Sequence, residues 1–470
     1  MKLSLAEIAQ TLGAVGEFDP KSIAQGYSID SRTIKPGELF FAIRGERYDA
    51  HDFVSGVIEG GGFAVISRAR MENLAGLRNV LPVDDPLQAL QDLGNFVRRR
   101  WGKRVIGLTG SAGKTTTKDA TAAVLGSQYK VLKSEGNLNN HFGLPLQLLR
   151  LEPEHDVAVI EMGMNHAGEI AALCKIAEPD WAIVTNIGVA HAGNFLDGIE
   201  GVARAKFELI ENTKPGGVVI LNGDDERVRQ FGGKYPGKVL FFGIGPGADV
   251  WAERISDRGA LGTEFDIGCS RTVECLGVST AHARLPLIGR HNLLNALAAV
   301  AAGMASGISL AECTAAIGML KAGQMRGEVL HLVLPGGGNV IIINDCYNSN
   351  PKALKAMADA LAKVPAQRRI AIIGEMLELG DGAEQMHREC GRIIAAHRVD
   401  LILGVRGHAA ALVAAAREDG AQAEFVATPQ AAGEWMIANL RDGDAVLLKA
   451  SRGVRLEAAL EVFENSAKSQ

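Results

Sequence analysis

Residues 105–120, "VIGLTGSAGKTTTKDA", combine the parts needed to hold a polyphosphate. Backbone N–H groups of Gly110, Ser111, Ala112 and Gly113 can converge on phosphate oxygens, and a helix opening at Lys114 adds the positive end of its dipole. The Lys114 ammonium would bridge the β- and γ-phosphates, and the Thr115 hydroxyl would reach Mg2+. Thr116 completes the nucleotide-facing set. The usual phosphate loop, G-x-x-x-x-G-K-[ST], places a glycine five positions before the second one. Here the second is Gly113, and five positions earlier stands Leu108. The loop is a shortened G-x-x-G-K-T. Its reading as a nucleotide site therefore leans on context: a strand before it and a helix after it.

Glu161 in "VIEMGMNHAGE" and His191 in "NIGVAHAG" each follow an apolar run that reads as a strand. Open α/β sheets bind ligands at the carboxyl ends of their strands. A carboxylate, an imidazole and the Thr115 hydroxyl can share a Mg2+, although imidazole is an unusual ligand for so hard an ion. A loop histidine bonded to the backbone explains His191 equally well on spacing alone. Lys206 in "VARAKFELI" is either a member of the same site or a solvated helix lysine. The amides Asn137, Asn139 and Asn140 in "EGNLNNHFGLPL" read as turn residues or, beside a nucleotide loop, as contacts to a polar substrate. "FFGIGPG" lacks the G-x-G-x-x-G spacing and reads as a turn.

These side chains need a scaffold, and the surrounding sequence supplies one. "RVIGLTG", "YKVLKS", "HDVAVIEMG", "WAIVTNIG", "GGVVILN" and "KVLFFGIG" alternate with helical segments, the pattern of a parallel sheet with crossover helices. Before them lie short strands ("GELFFAI", "GGFAVIS") and a helical run, "PLQALQDLGNFVRRRW", whose Arg98–Arg100 cluster reads as a domain exit. From about 248 to 285 the pattern turns antiparallel, and "GRHNLLNALAAVAAGMAS" is a helix. After "KAGQMRGE" a third α/β unit follows: "NVIIIND", "RRIAIIGE", "VDLILGV", "DAVLLKAS". The expected class is α/β in three domains. A central mostly parallel sheet of phosphate-loop type, 101–321, is flanked by a small α/β domain, 1–100, and a Rossmann-like domain, 322–470.

Bulk properties narrow the function. The chain has 470 residues, 47% apolar and 22% charged, as in ordinary globular proteins. Its net charge of −5 argues against nucleic-acid binding through a basic surface. The six cysteines show no C-x-x-C pair, which fits reduced thiols rather than a disulfide framework or a zinc site. "MKLSLAEIAQTLGA" is no signal peptide: Ser4 and Glu7 form a capping box, and Leu5, Ile8, Ala9 and Leu12 share one helical face. The apolar stretch "ALAAVAAGMASGISL" is too broken to span a bilayer. A cytoplasmic protein without membrane insertion is expected.

Taken in order, "TGSAGKTTTK", "EMG", "NIGVAH", "ARAKFE", "GRHNLLNALAA", "MRGE" and "INDCYNSNP" resemble the Mur ligase family, ATP-dependent amide-forming enzymes of cell-wall synthesis. The shortened phosphate loop is usual in that family. "DCYNSNP" and "GEMLELG" are similar to the member that joins D-alanyl-D-alanine to a UDP-N-acetylmuramoyl-tripeptide, and the D-N-P-R of the diamino-acid-adding sister is missing. Departures from common family patterns stand at Glu375, Phe207 and Ala450.

The resemblance implies ATP and Mg2+ as cofactors, the two peptide substrates as partners, and action as a monomer. It implies that Lys114 and Thr115 hold ATP and one Mg2+, and that Glu161 and His191 hold a second. Lys206 matches a lysine that is carbamylated in several relatives. Asn292 and Asn295 would lie by the adenine, Asp345 by the ribose and Arg326 by the phosphates. Ser28, Asp30, Ser31 and Arg32 would receive the UDP-sugar. Asn348, Asn350, Lys449, Ser451 and Arg452 would face the incoming dipeptide.

Overall fold

The computed structural model describes residues 1–45, 48–74, 76–270, 279–397 and 399–468. The chain divides into two compact units, one formed by 1–242 with 301–308 and the other by 243–300 with 309–470.

The first unit opens with helix α1 (Leu5–Leu12), started by the expected capping box: Ser4 accepts from the Glu7 amide, and Glu7 reaches back to Ser4. Four short parallel strands follow, β1 (Tyr27–Ser28), β2 (Leu39–Phe41), β3 (Phe63–Ser67) and β4 (Val80–Val83), in that order across the sheet. Helix α2 (Pro86–Trp101) has Asp85 as N-cap, proline at its first turn and Gly102 as a left-handed C-cap.

Six strands then lie side by side in one sheet: β5 (Arg104–Thr109), β6 (Val131–Lys133), β7 (Val157–Glu161), β8 (Trp181–Val184), β9 (Val218–Asn222) and β10 (Lys238–Ile244). All five pairings are parallel, in the order β6-β7-β5-β8-β9-β10. β7, β8 and β9 are buried along their whole length, which explains why they read as continuous apolar runs rather than alternating ones. The crossovers include α3 (Lys114–Leu125), α4 (Gly143–Leu149), α5 (Glu169–Ala177), α6 (Ile199–Glu211) and α7 (Glu226–Phe231).

In the second unit β11 (Val250–Asp257), β12 (Thr263–Cys269) and β13 (Thr280–Leu285) pair antiparallel, as expected for that stretch. Helix α8 (Arg290–Ala305) and helix α9 (Leu310–Gly318) come next. The last sheet contains β14 (Glu328–Val333), β15 (Asn339–Asp345), β16 (Arg368–Gly374), β17 (Leu401–Val405), β18 (Ala423–Val426) and β19 (Asp444–Lys449). Its order is β14-β15-β19-β16-β17-β18, parallel except for the β14–β15 hairpin at one edge. Helices α10 (Pro351–Leu361), α11 (Ala383–Ala395), α12 (Ala409–Glu418), α13 (Pro429–Asn439) and α14 (Glu457–Lys468) cover it. Cys174, Cys313, Cys346 and Cys390 are buried free thiols. Cys269 is disulfide-bonded, which corrects the expectation for that thiol; the absence of a C-x-x-C pair does not exclude a bond between more distant cysteines. Cys275 lies outside the described residues.

Arg98, in the run that reads as a domain exit, is buried. It is 1% exposed, and its guanidinium donates to Ala177 O, Glu178 O, Lys103 O and the Asp180 carboxylate. Helix α2 is thereby tied to the end of α5 and the start of β8. Removing one partner of a buried ion pair strands the other groups without donors. Arg98→Ala is therefore expected to lower the stability of the chain by about 3 kcal/mol, read as a fall in the urea midpoint; an unchanged midpoint would contradict this role.

Candidate functional site

Strand order decides where the first unit can hold a ligand. β7 lies on one side of β5 and β8 on the other, so the chain reverses its direction of travel across the sheet at β5. Open α/β sheets leave a crevice beyond the strand ends at such a reversal. The loop 110–113 leaves β5 there, Glu161 ends β7, and the segment 185–191 leaves β8.

The loop is pinned to the segment after β8. Ala112 N–H donates to the Asn186 side-chain carbonyl at 2.9 Å, while Ala112 O accepts from Thr185 Oγ1 at 2.7 Å and Asn186 Nδ2 at 2.9 Å. Ser111 Oγ accepts from Gly188 N–H at 2.8 Å. Gly113 is left-handed, with φ 79°, and serves as N-cap of α3. The Lys114 ammonium folds back onto Gly110 O at 2.8 Å. These contacts hold the loop in one shape ahead of any ligand.

Both oxygens of the Glu161 carboxylate are engaged. Thr115 Oγ1 donates to Oε2 at 3.0 Å, and Asn139 Nδ2 donates to Oε1 at 2.8 Å. The Glu161 amide donates to Ser134 Oγ at 3.0 Å. Asn140 Oδ1 accepts from Phe142 N–H and Gly143 N–H, the turn role open to it, and Asn137 O accepts from Asn139 N–H in the same turn. His191, with φ 65°, sits in the turn after β8 on the same sheet edge. Lys206, on α6, is 1% exposed, so the solvated-lysine reading fails. Burial drives its ammonium well below the ordinary lysine range, and the nearby Lys114 charge pushes the same way. Phe207 next to it packs at a tilt against Phe231 with ring centres 5.0 Å apart and lies under the Lys234 ammonium.

In the small sheet, Ser28, Asp30, Ser31 and Arg32 form a tight turn after β1. The Ser28 hydroxyl accepts from Asp30 N–H, and Asp30 holds the Arg32 guanidinium at 2.9 and 2.7 Å. The Arg32 side chain, then its backbone N–H, lowers the Asp30 carboxyl to about 2.

The second unit carries a separate polar group of residues. Asp345 and Lys449 are register partners at the ends of β15 and β19. The Lys449 ammonium, fully buried, donates to Asp345 Oδ2 at 2.5 Å and to Asn348 O at 2.9 Å. Asn350 caps α10 through Ala353 N–H, and Asn348 Oδ1 accepts from Ser349 N–H. The Arg326 guanidinium lies 3.7 Å over the Tyr347 ring. Arg452 reaches Glu457 at 2.7 Å, and Ser451 Oγ accepts from Leu377 N–H at 2.9 Å. Asn292 donates to Ile288 O and accepts from Asn295, both buried. Ala450 fits because Gly374 stands opposite: a Cβ on Gly374 would lie 2.6 Å from the Ala450 Cβ. The Glu375 carboxylate accepts from His408 N–H.

Three family models match in series along the chain: Mur ligase family, catalytic domain, over 24–98; Mur ligase middle domain over 108–303; and Mur ligase, glutamate ligase domain, over 325–452. The chain belongs to the Mur ligase family. Among Mur ligases, it is 36% identical to the UDP-N-acetylmuramoyl-tripeptide–D-alanyl-D-alanine ligase of Bacillus subtilis, covering 97% of this chain and 96% of that one. The enzyme of the same name from Escherichia coli is 35% identical over 86% of each. A crystal structure of MurF from Acinetobacter baumannii superposes with a TM-score of 0.88 at 30% identity, covering 99% of both chains. MurF from Thermotoga maritima, solved in complex with ADP, gives 0.80 at 26% identity, over 95% of this chain and 98% of that one. The α/β Mur ligase fold with its phosphate loop is therefore established for this chain.

Sequence reasoning missed Thr185, Asn186 and Ser134, which position the loop and the carboxylate. Asn186 lies inside "NIGVAH", but only strand order reveals that β8 neighbours β5. Gly110 is the tightest point of this packing: a Cβ there would sit 1.8 Å from Thr185 Oγ1. Gly110→Ala should cost about 1–3 kcal/mol through overpacking, and adding Thr185→Ala should recover part of that loss. Additive losses in a double-mutant cycle of urea midpoints would refute the contact.

Proposed function

We propose that this Mur ligase joins D-alanyl-D-alanine to the terminal carboxylate of a UDP-N-acetylmuramoyl-tripeptide, using ATP, as a cytoplasmic monomer in peptidoglycan precursor synthesis. The observation that carries this reading is the near full-length match to relatives bearing that activity in their names. "DCYNSNP", "GEMLELG" and the missing D-N-P-R point the same way. Among the described residues no helix is long and apolar enough to cross a membrane. We take 1–100, 101–321 and 322–470 as the working domains for the sugar nucleotide, for ATP, and for ATP closure with the dipeptide.

A carboxylate is a poor electrophile. In the proposed reaction its oxygen attacks the γ-phosphorus of ATP, ADP leaves, and an acyl phosphate forms. The dipeptide amine then attacks the acyl carbon, loses a proton, and phosphate departs from the tetrahedral intermediate. Gly110, Ser111, Ala112, Gly113 and Thr116 would cradle the phosphates through a preshaped loop. Lys114 would leave Gly110 O for the transferring phosphoryl group, where its charge counts most. Asn292, Asn295, Asp345 and Arg326 are the proposed contacts for the rest of ATP. Ser28, Asp30, Ser31 and Arg32, with Asn137, Asn139 and Asn140, are proposed for the muramoyl peptide. Asn348, Asn350, Lys449, Ser451 and Arg452 are proposed for the dipeptide side. Solvent exclusion during the acyl-phosphate stage protects it from hydrolysis.

Mg2+ fits the donor set, since the Thr115 hydroxyl and the Glu161 carboxylate are hard oxygen donors 3.0 Å apart. Among the described residues no three His, Cys, Asp or Glu side chains cluster as a metal site, which suits an ion completed by phosphate oxygens and water. Bound Mg2+ would offset the charge on the transferring phosphoryl group. Thr115 and Glu161 are the proposed residues, with His191 and Lys206 joining them.

Phosphate release assayed over a panel of UDP-muramoyl peptides and amines tests the substrate pair. We expect strict dependence on both the tripeptide and D-alanyl-D-alanine. Faster turnover with the muramoyl dipeptide plus a diamino acid would move the chain to the sister activity.

Lys206 is proposed to carry a carbamate. Its neutral amine, favoured by burial beside Lys114, would add to CO2 with loss of one proton, replacing a potential cation with an anionic oxygen donor. Lys206→Ala should lose most activity and regain a measurable part with formate or acetate. Absence of rescue, together with a bare amine in a bicarbonate-grown crystal, would reject the carbamate.

A further inference from the structure

His387, on α11, is completely buried and lies among none of the residues proposed to touch substrate. Its Nδ1 faces Ala383 O at 2.7 Å, and its Nε2 faces Met376 N–H at 2.9 Å. A carbonyl only accepts and a backbone N–H only donates. The ring must therefore be neutral, with its proton on Nδ1 and a lone pair on Nε2 directed at Met376. Desolvation lowers its pKa, which agrees with a neutral ring.

Met376 lies at the centre of the segment that leaves β16, and both its neighbours grip Ser451. Glu375 O accepts from Ser451 N–H at 3.2 Å, and Leu377 N–H donates to Ser451 Oγ at 2.9 Å. Ser451 Oγ in turn donates to Ser349 O at 3.4 Å. Two residues before Ser451, Lys449 binds Asp345 and Asn348 O. One imidazole lone pair thus anchors the middle of a three-residue clamp, and the clamp fixes the segment carrying Lys449, Ser451 and Arg452 against the segment carrying Asp345 to Asn350. Among the described residues His387 Nε2 alone accepts the Met376 N–H, so its loss as an anchor would free the clamp at its midpoint.

We propose that His387 is a positioning residue for the acceptor amine: its neutral Nε2 holds the Met376 amide and so sets the placement of Ser451 and its neighbours. The inference rests on the assignment of Ser451 to the dipeptide side. It predicts a selective effect, because a residue that only supported folding would affect all substrates alike.

The test compares three forms of the full chain. Glutamine can place its carbonyl oxygen near the position of Nε2, whereas asparagine is too short and keeps only a donor for Ala383 O. His387→Asn is expected to raise KM for the amine substrate by about tenfold through the orphaned amide, with KM for the muramoyl peptide held within about twofold. His387→Gln is expected to recover most of the lost affinity. Equal rises in both KM values, no rise at all, or identical behaviour of the two variants would each overturn the proposal. The wild-type substrate panel is run first: if the enzyme prefers another amine, the substrate reading fails, and the same KM comparison is made with that amine. A measurement independent of any variant is the 15N spectrum of the histidine rings at neutral pH. It should show His387 as the Nδ1–H tautomer; an Nε2–H ring or an imidazolium would overturn the proposal even if both variants failed to fold.

Discussion

The Glu161 carboxylate is the point on which the first unit's chemistry depends. A carboxylate has room for several donors, and here one oxygen takes the Thr115 hydroxyl from the phosphate loop's helix and the other takes Asn139 from a loop two elements away. Three separate stretches of chain are thereby fixed to one another at the carboxyl edge of the sheet. Of the loop's own side chains, Ser111 contributes by accepting from Gly188 N–H. Asn186 and Thr185 hold it from the neighbouring strand, and the burial of β5, β7 and β8 holds those strands. Preorganisation of this kind makes backbone donors effective, because they need not reorient when charge develops.

The second unit solves a similar problem with ions instead of a glycine loop. Lys449 and Asp345 face each other at adjacent strand ends, and the buried ammonium also ties down the Asn348 carbonyl. A buried pair of this sort is a modest source of stability, since desolvation offsets much of its attraction. Its value lies in geometry: it fixes the exit angles of two strands whose following segments carry Asn348, Asn350, Ser451 and Arg452, the residues proposed for the dipeptide side.

Much of this was legible in the sequence. The parallel strands, the antiparallel stretch, the capping box at Ser4 and Glu7, and the phosphate loop all follow from local patterns that the structure reproduces. What stayed hidden was whatever depends on which strands are neighbours. Asn186, Thr185 and Ser134 are far from Ala112 and Glu161 in sequence and carry no motif meaning alone. Lys206 reads as a helix lysine because burial is a property of the assembled unit. The asparagine cluster divided its roles: Asn140 makes a turn, while Asn139 holds Glu161, and composition does not separate the two. His387 was invisible for the same reason, since its partner Met376 lies across a turn whose path the sequence does not specify.

Arg98 alters how the boundary near residue 100 should be understood. Helix α2 runs through to Trp101, and the guanidinium three residues before its end is inserted among carbonyls at the end of helix α5. A protein divided at that point would leave one fragment with a buried cation and the other with vacant acceptors, and neither surface would tolerate water-free contact with anything but its original mate. Exchange of the leading sheet between relatives would therefore carry along the helix; of the acceptors that receive it, the carbonyls of 177 and 178 come with any residue, and the Asp180 carboxylate alone depends on side-chain identity.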